Sequence, residues 1–429
     1  MSRHLAWAFF RLNSGFFHLS RIIKPPKNGV CPRFDIPKNG ACPHFDMKVL
    51  FVDNAGVLGG AGRSMAELVV ALRARGVDVA VAMPGSVPDR ARVEKRYDIT
   101  RFRFHRDPLR LAADIPSFMR ARVALLLAIR DFKPDIIHAN SIQAALLFAR
   151  AGMPKAQKNG APFFVYVRDL RFPTSVARFV ARRCTRLVAI SSAVEARLRK
   201  VLPESLHGRI VRVQNGIDID GLLARRVERT YARSSLGLPV DGRIVGMMAH
   251  FAPWKRYDRF AAMAEIIAKN NPSVCFAVAG TDLFGDSSSC QRLFGGKKTG
   301  SVPILNEQKT GPVPVSVRLL GDVDNAVFLS AVDCLVHPAS GEPFGRSVCE
   351  AVAMGVPVVA VDSAGPAEIL AVAGRGKLVP DSGDVPAALA EGVRAALAGE
   401  VACGPLSKDA ARGLSVGRVA DELIALYKM

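Results

Sequence analysis

The sequence predicts an α/β protein with two doubly wound domains, each built around a parallel sheet. Apolar stretches of strand length alternate with helical patterns along most of the chain. This alternation stops at an Asn-Gly turn at 215–216 and begins again at residue 242. Strands that alternate with helices form parallel sheets covered on both faces, so each run predicts one domain. With 429 residues, 49% of them hydrophobic, the chain can bury two such cores.

The first domain is assigned to residues 47–215. It opens with the strand MKVLFVDN, the glycine-rich loop GVLGGAGRS and a helix that ends at Gly76. IRDFKPDIIHANS reads as a helix end, a strand and a loop, and RLVAISSAV begins another strand-to-helix step. IVRVQNGID closes the domain with a strand and the Asn-Gly turn.

The second domain is assigned to residues 216–412. GRIVGMMAH begins a new succession of strand, loop, helix and strand that runs to residue 282. Residues 284–314 interrupt this rhythm with a serine run and the similar pieces KKTGSVP and QKTGPVP, which is typical of a low-complexity insertion. Residues 413–429 form an amphipathic helix, GRVADELIALYKM, at the end of the chain.

Residues 1–46 are predicted to be an extension outside the core. An apolar residue recurs every three or four positions from Leu5 to Ile23, with arginines between, so a basic helix on a membrane is one reading. Asn13, Ser14 and Gly15 weaken that helix, and a clean strand begins at Met47. The tandem repeat PKNGVCPRFDI and PKNGACPHFDM has Pro and Gly in each copy, which favours loop. We expect the extension to be dispensable for activity.

Charge is distributed unevenly between the two domains. Residues 47–215 carry 30 Lys and Arg against 13 Asp and Glu, whereas residues 216–429 carry 22 against 23. A basic half suits an extended anionic partner such as an anionic membrane surface, although frequent use of arginine would give the same counts. Nucleic acid is disfavoured, because residues 47–215 contain two tyrosines and no known binding module.

One stretch of the first domain is the candidate for meeting an anionic membrane. It combines arginines with apolar side chains, as peripheral membrane segments do. Its members are Arg101, Phe102, Arg103, Phe104, Arg106, Leu109, Arg110, Arg120 and Arg122. Apolar runs such as VALLLAI are far shorter than the roughly 20 residues of a spanning helix. The eight cysteines show no CxxC or Cys/His spacing and are expected to be reduced, so we expect a cytoplasmic protein, peripheral at the inner membrane face.

The most informative stretch runs from 337 to 368, HPASGEPFGRSVCEAVAMGVPVVAVDSAGPAE. Glu342 and Glu350 flank Pro-Phe-Gly in a loop that turns into a helix, between the buried strands CLVHPA and PVVAV. The free N–H groups at a helix start attract anions. Two carboxylates on either side of such an anion-binding helix start suit a ligand that has hydroxyls at both ends and phosphate between them. A nucleotide sugar has that shape.

EPFGRSVCEA, followed by the GVPVV strand and a Gly-Pro-x-Glu loop, resembles the retaining nucleotide-sugar glycosyltransferases of family 4. These group 1 glycosyltransferases have the GT-B fold, in which two Rossmann-like domains face a cleft. The resemblance implies that Glu350 binds the ribose hydroxyls and Glu342 the hydroxyls of the donor sugar. Backbone N–H groups around Phe344, Gly345 and Arg346 would bind sugar or phosphate oxygens.

PWKR at 253–256 is similar to the family's diphosphate-binding loop. Lys255 matches the lysine, but the position five residues earlier, usually arginine, is His250 in this chain. A histidine is only partly charged at neutral pH. Arg256, or a basic residue of the first domain, is expected to compensate.

Three loops of the first domain also resemble family loops at the cleft. Gly59, Gly60 and Gly62 would let the backbone approach the diphosphate and the acceptor, although a hinge or turn explains them equally well. His138 and Asn140 of IIHANS would lie near the reaction centre, or His138 would be a structural residue. Arg168 and Asp169 of VYVRDL resemble another cleft loop, and an internal ion pair is the alternative.

The resemblance implies sugar transfer with retention of configuration to a lipid-linked or envelope polysaccharide acceptor, as in lipopolysaccharide synthesis. It implies no cofactor and no metal, with Glu342, Lys255 and His138 as catalytic residues. The alternatives are a catalytically impaired sugar-nucleotide-binding relative and a sugar-nucleotide epimerase of the same fold. A phosphorylase using pyridoxal phosphate explains Pro-Phe-Gly between the glutamates less well.

Overall fold

The computed structural model describes residues 47–55, 59–85, 95–102, 108–148, 161–282, 300–303 and 316–429. The predicted extension 1–46 with its tandem repeat lies outside the described residues, as does most of the insertion 284–314. Arg103, Phe104 and Arg106 of the candidate membrane stretch also lie outside them, together with the side chains of Leu109 and Arg110.

The first domain is a parallel sheet with helices on both faces. Its strands pair in the order β3-β2-β1-β4-β5-β6-β7. Their bounds are β1 (Met47–Val52), β2 (Val77–Pro84), β3 (Lys95–Ile99), β4 (Ile136–Ala139), β5 (Phe163–Val167), β6 (Arg186–Ala189) and β7 (Ile210–Arg212). The helices are α1 (Gly60–Arg73), α2 (Pro108–Phe132), α3 (Ile142–Ala145), α4 (Thr174–Ala181) and α5 (Ser192–Val201). The strand order reverses between β1 and β4, which is where ligands bind in doubly wound sheets.

The second domain repeats this plan after α6 (Ile219–Leu223) and α7 (Arg229–Ser235). Its sheet has the order β10-β11-β9-β8-β12-β13-β14. The strands are β8 (Ile244–Met248), β9 (Cys275–Ala279), β10 (Gly300–Pro303), β11 (Ser316–Gly321), β12 (Cys334–His337), β13 (Val358–Val361) and β14 (Lys377–Val379). The helices are α8 (Tyr257–Asn270), α9 (Asn325–Ala331), α10 (Arg346–Ala353), α11 (Gly365–Ala373), α12 (Val385–Leu397), α13 (Lys408–Leu414) and α14 (Val416–Tyr427). The predicted fold class, two doubly wound α/β domains, is confirmed.

Continuous apolar strands explain why both sheets are buried on both faces. β2 is buried along its whole length, and so are β4, β5 and β13. Parallel registers such as Val49 with Val79 and with Ile136 place successive carboxyl ends at one edge. Polar residues that follow the strands therefore gather at that edge in each domain.

The last helix, α14, lies on the first domain. Arg75 of the α1–β2 turn donates to Asp421 at 2.6 Å, and Arg418 donates to the carbonyl of Gln214 at 2.6 Å. At the far end of α14, the hydroxyl of Tyr427 is hydrogen-bonded to Nδ1 of His138. These contacts link the end of the chain to the first sheet.

Three local expectations are corrected. Gly60 and Gly62 lie in the first turn of α1 instead of a loop, because the chain enters the helix directly after Gly59. Four residues of the predicted insertion form β10, an antiparallel edge strand beside β11, where Pro303 is tolerated at the sheet edge. Phe102 and Arg122 are buried and cannot contribute to a membrane-facing surface.

No helix in the described ranges has both the length and the apolar character needed to cross a membrane.

Candidate active site

A cleft with a volume of about 670 Å³ lies where the carboxyl ends of the two sheets face each other. Its walls combine loops that follow β1 and β5 with loops that follow β8, β11 and β12. Twelve of the residues singled out in the sequence line it: Gly59, Gly60, Gly62, Arg168, Asp169, His250, Lys255, Glu342, Phe344, Gly345, Arg346 and Glu350.

Glu342 and Lys255 form a buried ion pair in the second domain. Lys255 ends a short 3₁₀ turn after β8, and its Nζ lies 2.5 Å from Oε2 of Glu342 in the loop after β12. His337 Nε2 lies 3.9 Å from the same oxygen. Burial by itself would raise the pKa of Glu342, but Lys255 and His337 outweigh it and lower that pKa. Glu342 is therefore ionised at neutral pH and accepts hydrogen bonds.

Glu350 lies one turn inside α10, and both of its carboxylate oxygens are hydrogen-bonded. Arg346 donates to Oε1 at 2.9 Å, since the two residues share a helix face, and Asn325 donates to Oε2 at 2.7 Å. Burial raises the pKa of Glu350, against the effect of Arg346. Each carboxylate oxygen has a second lone pair, so the group can still accept from a ligand.

Arg346 joins the two domains across the cleft. It donates to Oε1 of Glu67 in α1 at 2.6 Å and to the hydroxyl of Ser64 at 2.9 Å. Arg63 of the same helix donates to Oδ1 of Asn325 at 3.1 Å. Helix α1 is thus connected to Glu350 by two routes, one through Arg346 and one through Asn325.

The start of α10 is shaped by Gly345, which has φ +92°. A Cβ at this position would lie 3.2 Å from Cγ of Pro366 in the first turn of α11, so glycine suits both the conformation and the space. Phe344 is buried beside it. Gly345, Arg346 and Ser347, at the start of α10, all line the cleft, so the helix end that attracts anions borders it.

The glycines of the first domain lie opposite. Gly59 precedes α1, and a Cβ added to Gly60 would lie 3.6 Å from Cδ of Arg346. This places the start of α1 within contact distance of the start of α10. Backbone from both domains therefore borders the same part of the cleft.

Two family models match the chain, and they divide it as the two sheets do. Glycosyltransferase Family 4 matches residues 58–220, and Glycosyl transferases group 1 matches residues 228–412. The second match contains Lys255, Glu342 and Glu350. The chain belongs to the group 1 glycosyltransferases.

Relatives of this glycosyltransferase include the GDP-mannose-dependent alpha-mannosyltransferase of Mycolicibacterium smegmatis, 26% identical over 76% of this chain and 82% of that protein. The D-inositol 3-phosphate glycosyltransferase of Mycobacterium bovis is 33% identical over 36% of this chain and 30% of that protein. The structure of Anabaena Alr3699/HepE in complex with UDP and glucose has a TM-score of 0.66 at 19% identity, over 89% of this chain and 99% of that one. This last likeness shows the GT-B fold.

His250 of the glycosyltransferase is not a cation at neutral pH. It lines the cleft beside Trp254, with ring centroids 5.8 Å apart. Burial, and then the charge of Lys255, lower the pKa of His250 to about 4. The partial charge expected from the sequence is therefore absent, because the imidazole has lost hydration next to a lysine.

Arg256 does not compensate for His250. Its guanidinium donates to the carboxylate of Asp258 at 2.6 Å, and it is absent from the residues that line the cleft. Arg256 has φ +55°, which turns the chain from the 3₁₀ turn into α8. Its neighbour Lys255 consequently points into the cleft, whereas Arg256 points away from the cleft.

His138 lies in the core of the first domain and does not line the cleft. It stacks on Phe51 and on Tyr166, with ring centroids 5.0 and 4.4 Å apart, and contacts Tyr427. Of the two alternatives that the sequence left open for His138, this placement is that of a structural residue. Asn140 connects that loop to the cleft, since it accepts from Nε of Arg168 at 2.8 Å.

Arg168 and Asp169 both line the cleft, but not as an ion pair with each other. Arg168 bonds to Asn140, whereas Asp169 accepts from the backbone N–H of Arg171 at 2.9 Å. Arg171 in turn lies over the ring of Trp254, 4.9 Å from its centroid. The loop 168–171 therefore touches the second domain.

Sequence reasoning missed four polar residues that join the domains here: Arg63, Ser64, Glu67 and Asn325. Asn325 follows the carboxyl end of β11, a position that could have indicated it. The three residues of α1 carry no such signal, because a helix with alternating polar residues is normally solvated. Only the facing domain shows what they contact.

Buried histidines predict loss of stability in mild acid. Burial lowers the pKa of His337 and His250 to about 4. Their unfolded forms take up protons at higher pH, near 6.5, so stability is full above that value and falls as pH drops towards 4. For His337 the loss is up to about 3 kcal/mol. Urea unfolding at pH 7 and pH 4.5 measures it. His337→Asn should have a shallower pH dependence, and an unchanged dependence would contradict this cause.

Proposed function

We propose that the protein transfers a hexose, with retention of configuration, from a nucleoside diphosphate sugar to a lipid-linked or envelope polysaccharide acceptor. The observation that carries this proposal is the arrangement of Lys255, Glu342, Glu350 and the start of α10 around one cleft. The mannosyltransferase relative makes GDP-mannose the first donor to test, and the UDP-containing neighbour makes UDP-glucose the second.

The proposed donor lies with its diphosphate between Lys255 and the start of α10. The ribose hydroxyls donate to Glu350, which lines the cleft. The sugar hydroxyls donate to Glu342, whose lowered pKa keeps it an acceptor and makes it a poor proton donor. A different source must then supply the proton to the leaving group.

In the proposed reaction the bond between C1 of the sugar and the β-phosphate oxygen breaks. The acceptor hydroxyl oxygen bonds to C1 from the same face, and its proton passes to the departing phosphate. The cation of Lys255 and the N–H groups of α10 stabilise the charge that develops on that phosphate. We further propose that no divalent cation is needed, so activity should persist in EDTA.

Transfer assays with radiolabelled GDP-mannose, UDP-glucose and other nucleotide sugars test the proposal. Product with the same anomeric configuration as the donor supports it. Binding of a nucleoside diphosphate without turnover would indicate the catalytically impaired relative, and conversion of the free nucleotide sugar would indicate an epimerase.

The proposed acceptor is delivered at an anionic membrane face. Helix α2 supports this with an exposed apolar stripe, the α2 stripe, formed by Met119, Val123 and Leu127 at every fourth position. Their exposed fractions are 37%, 46% and 52%. Arg120 and Arg130 are exposed on the same helix, and Asp131 adjoins Arg130. Basic and apolar side chains together suit an anionic lipid surface.

Vesicle sedimentation tests the α2 stripe. Arg120→Ser should weaken pelleting with phosphatidylglycerol vesicles about fivefold, since a juxtamembrane cation contributes about 1 kcal/mol. The double variant Val123→Glu with Leu127→Glu should abolish pelleting, and high salt should weaken it for the unmodified protein. Val240→Glu is the matched control, because Val240 is 44% exposed in the second domain. Equal pelleting with neutral and anionic vesicles would contradict the proposal.

A further inference from the structure

The loop that holds Lys255 lacks a second free cation for the leaving group. His250, at the position that the family usually gives to arginine, has a pKa of about 4 because it is buried beside Lys255. Arg256 is committed to Asp258 outside the cleft. A diphosphate that loses its sugar gains negative charge, so a second cation is expected to come from another part of the cleft.

The cations that line the cleft differ in how they are paired. Lys255 is paired with Glu342, Arg346 with Glu67 and Glu350, and Arg63 with Asp322. Arg171 also lines the cleft, but its side chain is exposed and lies over the ring of Trp254. Arg168 differs from all of these. Throughout the described ranges, no carboxylate lies within 4.0 Å of its guanidinium, and Nη2 is buried with no hydrogen-bond partner. A buried donor without an acceptor is destabilising, so such a group indicates a missing acceptor.

Arg168 is held in place from two sides. Its Nε donates to Oδ1 of Asn140 at 2.8 Å, and Asn140 in turn donates to Oδ2 of Asp53 at 2.8 Å. The guanidinium lies over the ring of Tyr166, 4.0 Å from its centroid. Asp53, Asn140 and Arg168 follow the adjacent strands β1, β4 and β5, so three strand ends fix one side chain. The remaining N–H groups are therefore oriented before any ligand arrives.

Arg168 lines the same cleft as the start of α10. Burial lowers its pKa, and repulsion from Arg346, the first residue of α10, acts in the same direction. Arginine remains charged despite such shifts. The cleft therefore contains a positive charge, that of Arg168, that is not paired with a carboxylate. The N–H groups at the start of α10 also attract anions to this cleft.

We propose that Arg168 binds a phosphate of the leaving nucleoside diphosphate from the first domain and supplies the cation that His250 does not. This inference rests on the proposed function. The planar guanidinium suits phosphate because two of its N–H groups can donate to two oxygens. The same chemistry would suit a phosphate on the acceptor, and the presence of Lys255 and the start of α10 in the same cleft favours the donor. Because Arg168 belongs to the first domain, its contact with the phosphate also depends on the two domains facing each other.

The first experiment compares binding of GDP and UDP with binding of GMP and UMP by calorimetry. Arg168→Gln should raise the Kd of the diphosphate that the unmodified protein binds about 10- to 100-fold, whereas the Kd of the corresponding monophosphate should change little. Arg168→Lys should retain part of the affinity, because lysine keeps the positive charge but cannot donate two parallel hydrogen bonds to the phosphate. Arg183→Gln is the matched control, because Arg183 also lies over an aromatic ring of the first domain, Phe179, but outside the cleft.

The second experiment is a rescue. Adding His250→Arg to Arg168→Gln places a cation where the family usually has one, and diphosphate affinity and turnover should recover at least tenfold. A merely structural role of Arg168 would not respond to a cation in the other domain. Thermal unfolding of each variant checks that the fold is intact.

The outcomes separate the possible errors. Unchanged diphosphate binding with a raised KM for a phosphorylated acceptor would show that the phosphate belongs to the acceptor and overturn the donor assignment. Equal loss of diphosphate and monophosphate binding, or no change at all in a folded Arg168→Gln, would overturn the role of Arg168. Failure of the unmodified protein to bind any nucleoside diphosphate would overturn the proposed function itself.

Discussion

Lys255→Ala is expected to lower turnover about 100-fold or more, the largest effect of any single substitution proposed for this protein. Lys255 is the cation nearest to Glu342, and its Nζ is only 2.5 Å from the carboxylate. The substitution removes charge stabilisation from the leaving phosphate. It also leaves Glu342 buried without the partner that lowers its pKa. Single-turnover rates with the preferred donor measure the effect on the chemical step.

Arg256→Ala is the matched control for this prediction. Arg256 follows Lys255 in the chain, but it is bonded to Asp258 and does not line the cleft. Turnover of this control should stay near that of the unmodified protein. An unchanged rate in Lys255→Ala would assign the leaving-group cation to another residue, and an equal loss in both variants would point to disturbance of the loop. Unfolding midpoints separate lost catalysis from lost stability.

Glu350→Gln is expected to weaken binding of the nucleoside diphosphate about 10- to 150-fold, since hydrogen bonds to a charged group contribute about 1.5–3 kcal/mol. The amide keeps the shape of the side chain, but it accepts at one atom where the carboxylate accepts at two. The ribose hydroxyls lose an acceptor, and Arg346 loses one of its two carboxylates. Calorimetric titration with GDP and with UDP measures the change.

Glu67→Gln separates the loss of the ribose contact from the loss of a carboxylate beside Arg346. Glu67 is the other carboxylate bonded to Arg346, on the first domain, and it does not line the cleft. Its replacement removes the same charge from the same arginine without touching the ribose. We expect a clearly smaller loss of nucleotide affinity than in Glu350→Gln. Equal losses would mean that Glu350 acts through Arg346 and the contact between domains, and the direct ribose contact would be rejected.

Much of the candidate site could be predicted because it lies in short segments that follow strands. Glu342, Phe344, Gly345 and Glu350 belong to one loop and the helix after it, so the chain itself brings them to the cleft. Lys255 follows β8, the strand beside β12, which places its loop next to that of Glu342. In both cases local chain direction and strand order were sufficient.

His138 and Arg256 show where such reasoning ends. His138 lies near the carboxyl end of β4 and Arg256 in the loop after β8. Yet His138 is packed between Phe51 and Tyr166, and Arg256 turns away towards Asp258. Residue type and position in the chain do not state which way a side chain points. That depends on neighbours that are distant in sequence, as Tyr427 is for His138.

The sequence by itself determined the two-domain α/β architecture, through the alternation of apolar strands and helices, and the loop that presents Glu342 and Glu350. Only the tertiary structure decided the charge state of His250, because a pKa depends on lost hydration and on the charge of Lys255 nearby. It also decided that Glu67 of one domain meets Arg346 of the other. Such contacts arise when two separately folded sheets face each other, and no local pattern in the chain encodes the distance between them.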